Sequence, residues 1–172
     1  MQNIELKARL DSLAPARKIA KAIATETLGK DRQRDTYFHV PEGLMKLRES
    51  RNIPAELIYY RRPEKKRARK CDYQIVPVDN PAKMRKLLSD SLGIVTVVEK
   101  TREIYLYKNV RIHLDRVKNL GTFLEFEAVL EKPSQAAEGK RLVAKLTKEF
   151  GIAENQLVPV SYGVLLKERR ER

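Results

Sequence analysis

The fold is decided by the stretch RIHLDRVKNLGTFLEFE, residues 111–127, in which charged or polar residues occupy every second position near both ends. These positions are Arg111, His113, Asp115, Glu125 and Glu127. Successive side chains of a β-strand point to opposite faces, so each end of the stretch predicts a strand with one ionic face and one apolar face. Gly121 lies between them and permits a tight turn before the second strand.

The same alternation recurs along the chain, in Glu5-Lys7-Arg9, Lys46-Arg48 and Lys100-Arg102. Three β-rich segments predict further strands, at 56–62, 72–76 and 94–98. Apolar residues at helical intervals predict helices over 12–28, with Gly29 as the stop, and over 81–92 and 135–150. A last short helix is predicted after Ser161. These elements indicate one α+β domain over residues 1–172.

Composition limits the class of protein. A length of 172 residues and an apolar content of 42% suit a single domain with a core. No apolar run approaches the ~18 residues of a membrane-spanning helix, and charge alternation begins at once, so we expect neither a signal peptide nor a membrane partner. Cys71 is the only cysteine, which excludes a disulfide framework and favours the reducing cytoplasm. The formal net charge of +13 predicts an anionic partner.

The ionic strand faces are open to two interpretations. Half-exposed antiparallel strands also alternate charged and apolar residues, and that reading suits any single strand. Across all the predicted strands, however, positive and negative charges are separated. Basic pairs dominate the middle strands, while Glu125 and Glu127 have no basic neighbour on their strand. The helices also need an apolar sheet surface. A barrel closed with helices outside would direct the ionic faces into its interior.

An interior of this kind would carry a surplus of positive charge. The basic candidates are Lys7, Arg9, Lys46, Arg48, Arg61, Lys100, Arg102 and Arg111. The acidic candidates are Glu5, Asp115, Glu125 and Glu127. Eight positive against four negative charges need counter-ions, which a polyphosphate supplies, and arginine holds phosphate oxygens with a two-pronged donor fork. The acids would hold Mg²⁺ or Mn²⁺, which prefer oxygen ligands, and this division favours phosphoryl chemistry over nucleic-acid binding.

At this point the sequence resembles the CYTH family, named for class IV adenylate cyclase and thiamine triphosphatase. Asn3-Ile-Glu5-Leu-Lys7 resembles its N-terminal ExExK signature, and residues 111–127 resemble its stretch in which an aspartate precedes Leu-Gly and a paired-Glu strand follows. Lys46-Leu-Arg48, Tyr60-Arg61, Lys100-Thr-Arg102 and Ser161-Tyr162 resemble later motifs. The resemblance runs from about residue 3 to 166 and leaves 167–172 as a basic tail.

The resemblance implies an eight-stranded antiparallel tunnel, a triphosphate-bearing substrate and a divalent metal. Its implied metal ligands are Glu5, Glu125 and Glu127, with Asp115 as a weaker candidate, and Lys7 joins the three glutamates as the catalytic set. Its implied phosphate ligands are Lys7, Lys46, Arg48, Arg61, Lys100, Arg102 and Arg111, with Arg9 and His113 as additional candidates. One departure stands out: Asn3 replaces the first Glu of ExExK, so a neutral amide takes the place of a charged metal ligand.

Several alternatives stay open at this stage. Water attack on the terminal phosphorus would make the chain a triphosphatase, acting on inorganic, nucleoside or thiamine triphosphate. Attack of the ATP 3′-hydroxyl on the α-phosphorus would make it an adenylate cyclase. Asn3 leaves room for a non-catalytic polyphosphate-binding module, and the basic surface for RNA binding. His113 is either a proton carrier or a polar lining residue, Asp35 is a candidate for the tunnel mouth, the basic run 61–70 is a loop or a lip, and a homodimer is left open.

Overall fold

The computed structural model describes residues 1–61, 63 and 67–170. The strands within these residues are β1 (Gln2–Leu10), β2 (Glu26–Phe38), β3 (Leu44–Ser50), β4 (Ala55–Arg61), β5 (Arg69–Val78), β6 (Ile94–Tyr107), β7 (Val110–Val117) and β8 (Gly121–Leu130). The α-helices are α1 (Ala14–Ile23), α2 (Pro81–Leu92), α3 (Ala136–Glu149) and α4 (Tyr162–Arg170). None of these helices is long and apolar enough to cross a membrane.

The strands form one closed antiparallel barrel in the order β1-β5-β4-β3-β2-β6-β7-β8. Closure depends on β1, which pairs with both β5 and β8 and places Glu5 opposite Arg69 on one side and Glu127 on the other. Because side chains alternate along each strand, closure turns the ionic faces inward and the apolar faces outward. The predicted α+β fold, with an eight-stranded antiparallel barrel, is therefore confirmed.

Helices cover the apolar outer surface. α1 and α3 pack on the outer faces of β1, β7 and β8, where Ile4, Ile112 and Phe126 are fully buried. α2 packs on a smaller cluster around Phe38 and Leu47. Each large apolar side chain buried in this way contributes roughly 1.5–3 kcal/mol. The barrel is thus stabilised from outside, which leaves much of its interior to polar groups.

The last helix, α4, covers one end of the barrel instead of an outer face. Tyr162 packs with the inward-facing Val98 and Phe123, and the ring centroids of Tyr162 and Phe123 lie 4.9 Å apart. Gly163 allows this approach, because a Cβ there would lie only 3.1 Å from the ring of Tyr37. The barrel is therefore closed at this end and accessible from the other.

One helix is shorter than predicted. The pattern over 12–28 predicted a helix, but α1 ends at Ile23 and residues 26–28 belong to β2. Leu28 is 52% exposed and lies in a register shift between Thr27 and Gly29, whose φ of +81° suits glycine. The other three predicted helices are confirmed to within a residue at most boundaries. The basic run 61–70 lies partly outside the described residues.

Candidate functional site

The barrel encloses a cavity of about 390 Å³, lined by side chains from all eight strands and from the start of α4. Ten of the thirteen predicted site residues line it: Glu5, Lys7, Lys46, Arg48, Lys100, Arg102, Arg111, His113, Glu125 and Glu127. They come from five different strands and lie between residues 5 and 127 of the sequence. The alternation that predicted an ionic interior therefore places ten of these residues around one cavity.

Arg9 and Arg61 lie apart from this cavity. Arg9 is exposed; its guanidinium donates a 2.6 Å hydrogen bond to the Leu120 carbonyl and stacks on the ring of Phe123. Arg61 is also exposed and pairs with Glu42 at 2.7 Å. It lies on the outer face of β4 because Tyr60, the residue before it, faces inward. The structure therefore does not place either arginine with the other phosphate candidates.

Asp115 is fully buried but is held by neighbouring side chains. Arg102 donates two hydrogen bonds to its carboxylate, at 2.7 and 2.6 Å, and the Tyr162 hydroxyl donates a third at 2.8 Å. Burial raises the pKa of Asp115, but Arg102 outweighs that effect and lowers it below its usual value. The geometry fits Asp115 as the group that orients Arg102 rather than as a metal ligand.

A histidine and two glutamates form a compact group on one wall. One ligand atom each from His113, Glu125 and Glu127 can be chosen so that all lie within 4.8 Å of one another. The barrel register produces this group, because β7 places His113 opposite Glu125 and β1 places Glu5 opposite Glu127. Glu5 lies beside the group, with its carboxylate 3.0 Å from Nε of Arg69.

This donor set fits a divalent metal. Two carboxylates and an imidazole are ligands that Mn²⁺ accepts readily, and the carboxylates alone suit Mg²⁺. Nδ1 of His113 is buried without a hydrogen-bond partner among the described residues and lies 3.8 Å from a Glu125 oxygen. Oδ1 of Asn3, on the same face of β1 as Glu5, is likewise buried and without such a partner. Both atoms are available to a ligand.

A second group, of cations, surrounds Asp35 in the interior. Arg48 donates two hydrogen bonds of 2.8 Å to the Asp35 carboxylate, while Nζ of Lys46 and of Lys100 lie at 3.0 and 2.9 Å. Burial raises the pKa of Asp35, but Arg48, Lys100 and Lys46 together hold it well below its usual value. Sequence reasoning considered Asp35 only for the tunnel mouth; it lies instead fully buried among the cations. Asp35 lies two residues from each of the cavity-lining residues Gln33 and Tyr37, and this spacing could have predicted from the sequence that it faces the interior.

Of these three cations, Lys100 has the pKa that is shifted furthest from its usual value. Burial lowers its pKa to about 7, an effect that Asp35 opposes and that Arg48, Arg102 and Lys46 reinforce. Lys7 occupies a different position, with Nζ 3.2 Å from Glu125, 3.2 Å from the Val160 carbonyl and 3.7 Å from the centre of the Tyr162 ring. Burial raises the pKa of Glu125, but Lys7 and Arg102 hold it well below its usual value.

The interior is close to neutral among the described residues, which corrects the expected surplus of eight cations over four acids. Arg9 and Arg61 are outside, whereas the buried Arg69 pairs with Glu5 inside. Asp31, Asp35 and the cavity-lining Glu56 add three carboxylates. The inward cations are Lys7, Lys46, Arg48, Arg69, Lys100, Arg102 and Arg111. The inward acids are Glu5, Asp31, Asp35, Glu56, Asp115, Glu125 and Glu127.

A closed eight-stranded barrel with this ionic interior has the triphosphate tunnel fold. A family model described as the CYTH domain matches residues 1–162, and the chain belongs to the CYTH family. Members of this family are triphosphatases or adenylate cyclases, and its tunnel enzymes are metal-dependent.

Individual relatives cover nearly the whole chain. A candidate adenylate cyclase of Methanocaldococcus jannaschii is 24% identical over 170 residues, which cover 94% of this chain and 97% of that protein. The solved structure of a Pyrococcus horikoshii protein is similar with a TM-score of 0.83 and 28% identity, over 95% of this chain and 98% of that one. A candidate adenylyl cyclase of Hippeastrum, described as having a dominant triphosphatase activity, superposes with a TM-score of 0.64 and 18% identity over 98% of this chain and 96% of that one.

Proposed function

We propose that this chain is a metal-dependent triphosphatase that hydrolyses the terminal phosphate of a triphosphate. The observation that carries the proposal is the division of one cavity into two groups. Lys46, Arg48 and Lys100 gather on one side, and His113, Glu125 and Glu127 on another. The first group supplies phosphate ligands and the second supplies metal ligands, which is the combination that phosphoryl transfer requires.

The closed end of the barrel orients the substrate. Because α4 covers that end, a triphosphate enters from the open end, and its terminal phosphate reaches deepest. There it would meet Lys7 and Lys100, whose Nζ atoms lie 3.7 and 5.7 Å from the centre of the Tyr162 ring. Arg102, held by Asp115, would contact phosphate oxygens from the side wall. These cations would stabilise negative charge that builds up on the phosphoryl oxygens during transfer.

Glu5, His113, Glu125 and Glu127 would hold Mg²⁺ or Mn²⁺ next to the phosphate chain, with the amide oxygen of Asn3 in reach as a neutral ligand. A bound divalent ion would supply Lewis-acid polarisation of a phosphoryl oxygen. The protein's own part is to position the phosphates and to neutralise their charge. Lys7, paired with Glu125 at 3.2 Å, links the metal group to the deep end of the cavity. We also propose a cytoplasmic location, because the single cysteine, Cys71, is a buried free thiol.

Adenylate cyclase activity is the second candidate. It is favoured by the M. jannaschii relative, which is similar over nearly its whole length and is described as a candidate adenylate cyclase. Both reactions use the same ionic cavity and differ in the phosphorus atom that is attacked. The products therefore separate them, since hydrolysis releases phosphate and cyclisation releases cyclic AMP and pyrophosphate.

The test is a product panel. Purified protein would be given inorganic triphosphate, ATP and thiamine triphosphate with Mg²⁺, Mn²⁺ or EDTA, and phosphate, pyrophosphate and cyclic AMP would be measured. We expect metal-dependent phosphate release, and a loss of roughly 10²-fold or more in Glu127→Gln, the scale seen when a group that stabilises transition-state charge is removed. Glu138→Gln, on the exposed face of α3, is the matched control.

The outcomes distinguish the alternatives. Cyclic AMP as the main product would replace the triphosphatase with the cyclase. Tight binding without any product would identify a non-catalytic module. RNA binding that weakens steeply with salt and is unchanged in Glu127→Gln would place the function on the outer surface instead.

A further inference from the structure

The open end of the cavity has a lining that phosphate does not need. Three aliphatic side chains line the cavity beyond its ionic groups: Leu28, Ile53 and Ile104. We call these three residues the apolar rim. Leu28 is 52% and Ile53 46% exposed, although both belong to a cavity wall. Exposed aliphatic side chains around a pocket are a typical sign of an apolar ligand group.

The barrel register shows that the rim lies away from the closed end. On β6, Val98 packs with α4, and the inward-facing residues then run through Lys100 and Arg102 to Ile104. Ile104 is therefore six residues further along the strand, roughly 20 Å at the usual rise per residue. Gly29 of β2 is the partner of Ile104, so Leu28 lies next to it at the same end.

A local irregularity directs Leu28 into the cavity. Along β2 the inward-facing positions include Gln33 and Tyr37, two odd-numbered residues, and Leu28 would fall on the outer face if the alternation continued. The register shift between Thr27 and Gly29 breaks the alternation, and Leu28 lines the cavity. A β-bulge that redirects a side chain is common beside ligand sites.

Ile53 is held in place by a hydrogen-bonded turn between β3 and β4. Buried Asp31 accepts a 2.5 Å hydrogen bond from the Ser50 hydroxyl and a 3.2 Å bond from the Arg51 amide. The Ser50 oxygen in turn accepts a 3.3 Å bond from the Ile53 amide, and the Asn52 side chain donates to the Lys30 carbonyl at 2.9 Å. The turn is thus fixed to β2, and its exposed isoleucine lines the same cavity as Leu28.

We propose that the apolar rim binds the organic group of the substrate, so that the substrate is a triphosphate ester of an apolar or flat aromatic group rather than inorganic triphosphate. This proposal rests on the proposed function, which fixes the phosphates in the deep ionic part of the cavity. An ester that enters with its phosphates first leaves its organic group at the open end, where the rim lies. Contact with the rim then removes apolar surface from water, a gain that inorganic triphosphate cannot make.

The test compares ligands that differ only in the organic group. Calorimetry with Mg²⁺ would measure the binding of imidotriphosphate, of its n-hexyl ester and of adenosine β,γ-imidotriphosphate, whose bridging nitrogen resists hydrolysis of the terminal phosphate. The variants are Leu28→Ser and Ile53→Ser, and the control is Val76→Ser. Val76 is 57% exposed on the outer face of β5, so the control removes a similar exposed side chain away from the cavity.

We expect at least one ester to bind the unaltered protein more tightly than imidotriphosphate. Each rim variant should weaken that ester roughly tenfold, equivalent to the loss of one or two buried methylene contacts, with imidotriphosphate binding unchanged. Val76→Ser should bind all three ligands like the unaltered protein.

The results also separate this inference from the function on which it rests. Esters that bind no more tightly than imidotriphosphate, or rim variants that weaken imidotriphosphate as much as the ester, would overturn the role of the rim and leave the triphosphatase proposal intact. Failure of all three ligands to bind the unaltered protein would overturn both.

Discussion

Asp35 is the counter-ion of three interior cations, and its replacement by asparagine tests whether this carboxylate stabilises the barrel by neutralising them. The carboxylate is fully buried and makes four charge-assisted contacts of 2.8–3.0 Å with Lys46, Arg48 and Lys100. Asp35→Asn keeps the shape and removes the charge. The three cations would then face one another without their carboxylate in a site of low dielectric.

The expected loss of stability is large. Removing one partner of a buried ion pair costs roughly 3–5 kcal/mol because the other charge stays buried. For a chain of this size, each kcal/mol lowers the unfolding temperature by roughly 2–4 °C. We therefore expect Asp35→Asn to unfold roughly 10 °C below the unaltered protein at pH 6. Asp79→Asn, at an exposed aspartate, should change little.

The loss should depend on pH through Lys100. Its pKa in the folded protein is already lowered, to about 7, and Asp35 is the neighbour that raises it, so removing Asp35 lowers it further. A lysine whose folded pKa is depressed carries its full energetic cost below that pKa, and the cost falls as the pH rises from there toward the unfolded value of about 10.4. Because the variant has the lower folded pKa, acidification below about pH 7 costs it stability that the unaltered protein keeps. The destabilisation should thus be greater at pH 6 than at pH 8.5, where Lys100 is neutral.

Inorganic triphosphate provides the decisive comparison. The anion can take the place of the missing carboxylate, so a fixed concentration should raise the unfolding temperature of Asp35→Asn by more than that of the unaltered protein. Differential scanning calorimetry at pH 6 and 8.5, with and without the anion, measures all of these effects. An Asp35→Asn protein that unfolds at the temperature of the unaltered protein at pH 6 would refute the assignment of Asp35 as the counter-ion.

Three further predictions concern other parts of the structure. Triphosphate binding at pH 8 should be accompanied by proton uptake, because an anion beside Lys100 raises the lowered pKa of this lysine. Calorimetry in buffers of different ionisation enthalpy measures the uptake, which should vanish in Lys100→Arg. Equal uptake in both proteins would contradict the assignment of the proton to Lys100. Gly163→Ala should cost roughly 1–3 kcal/mol, since its Cβ would lie 3.1 Å from the Tyr37 ring; urea unfolding measures the cost, and no loss would show that α4 shifts freely. Arg17→Ala should cost roughly 1–3 kcal/mol by removing two 2.8 Å hydrogen bonds to Glu103 on the outer wall, whereas a changed triphosphate affinity would show that the outer contact shapes the interior.

The sequence predicted the barrel because its signal is local. Alternation at Arg111, His113, Glu125 and Glu127 requires only that a strand form, and the closed sheet then turns the whole set inward. The same local signal located ten of the thirteen predicted site residues in one cavity. Arg61 shows its limit, because one position along a strand separates the inner face from the outer face.

What the sequence could not supply is the pairing between distant strands. Asp35 becomes the partner of Lys100 only because β2 and β6 are neighbours in the barrel, 65 residues apart in the chain. Arg69 joins the interior through its register with Glu5, although the basic run around it resembles a solvated loop. The irregularity that turns Leu28 inward also depends on its pairing with β6, and its apolar spacing alone suggested a helix.

The near neutrality of the interior explains why metal and triphosphate would bind together. Seven inward cations face seven inward carboxylates among the described residues, so the formal net charge of the interior is near zero. A triphosphate brings about four negative charges, which would leave the interior strongly negative. One divalent ion on the His113, Glu125 and Glu127 group offsets half of that addition. The cations alone suffice to orient a triphosphate, but they do not neutralise its charge. The proposed reaction therefore requires a metal ion to offset the remaining negative charge.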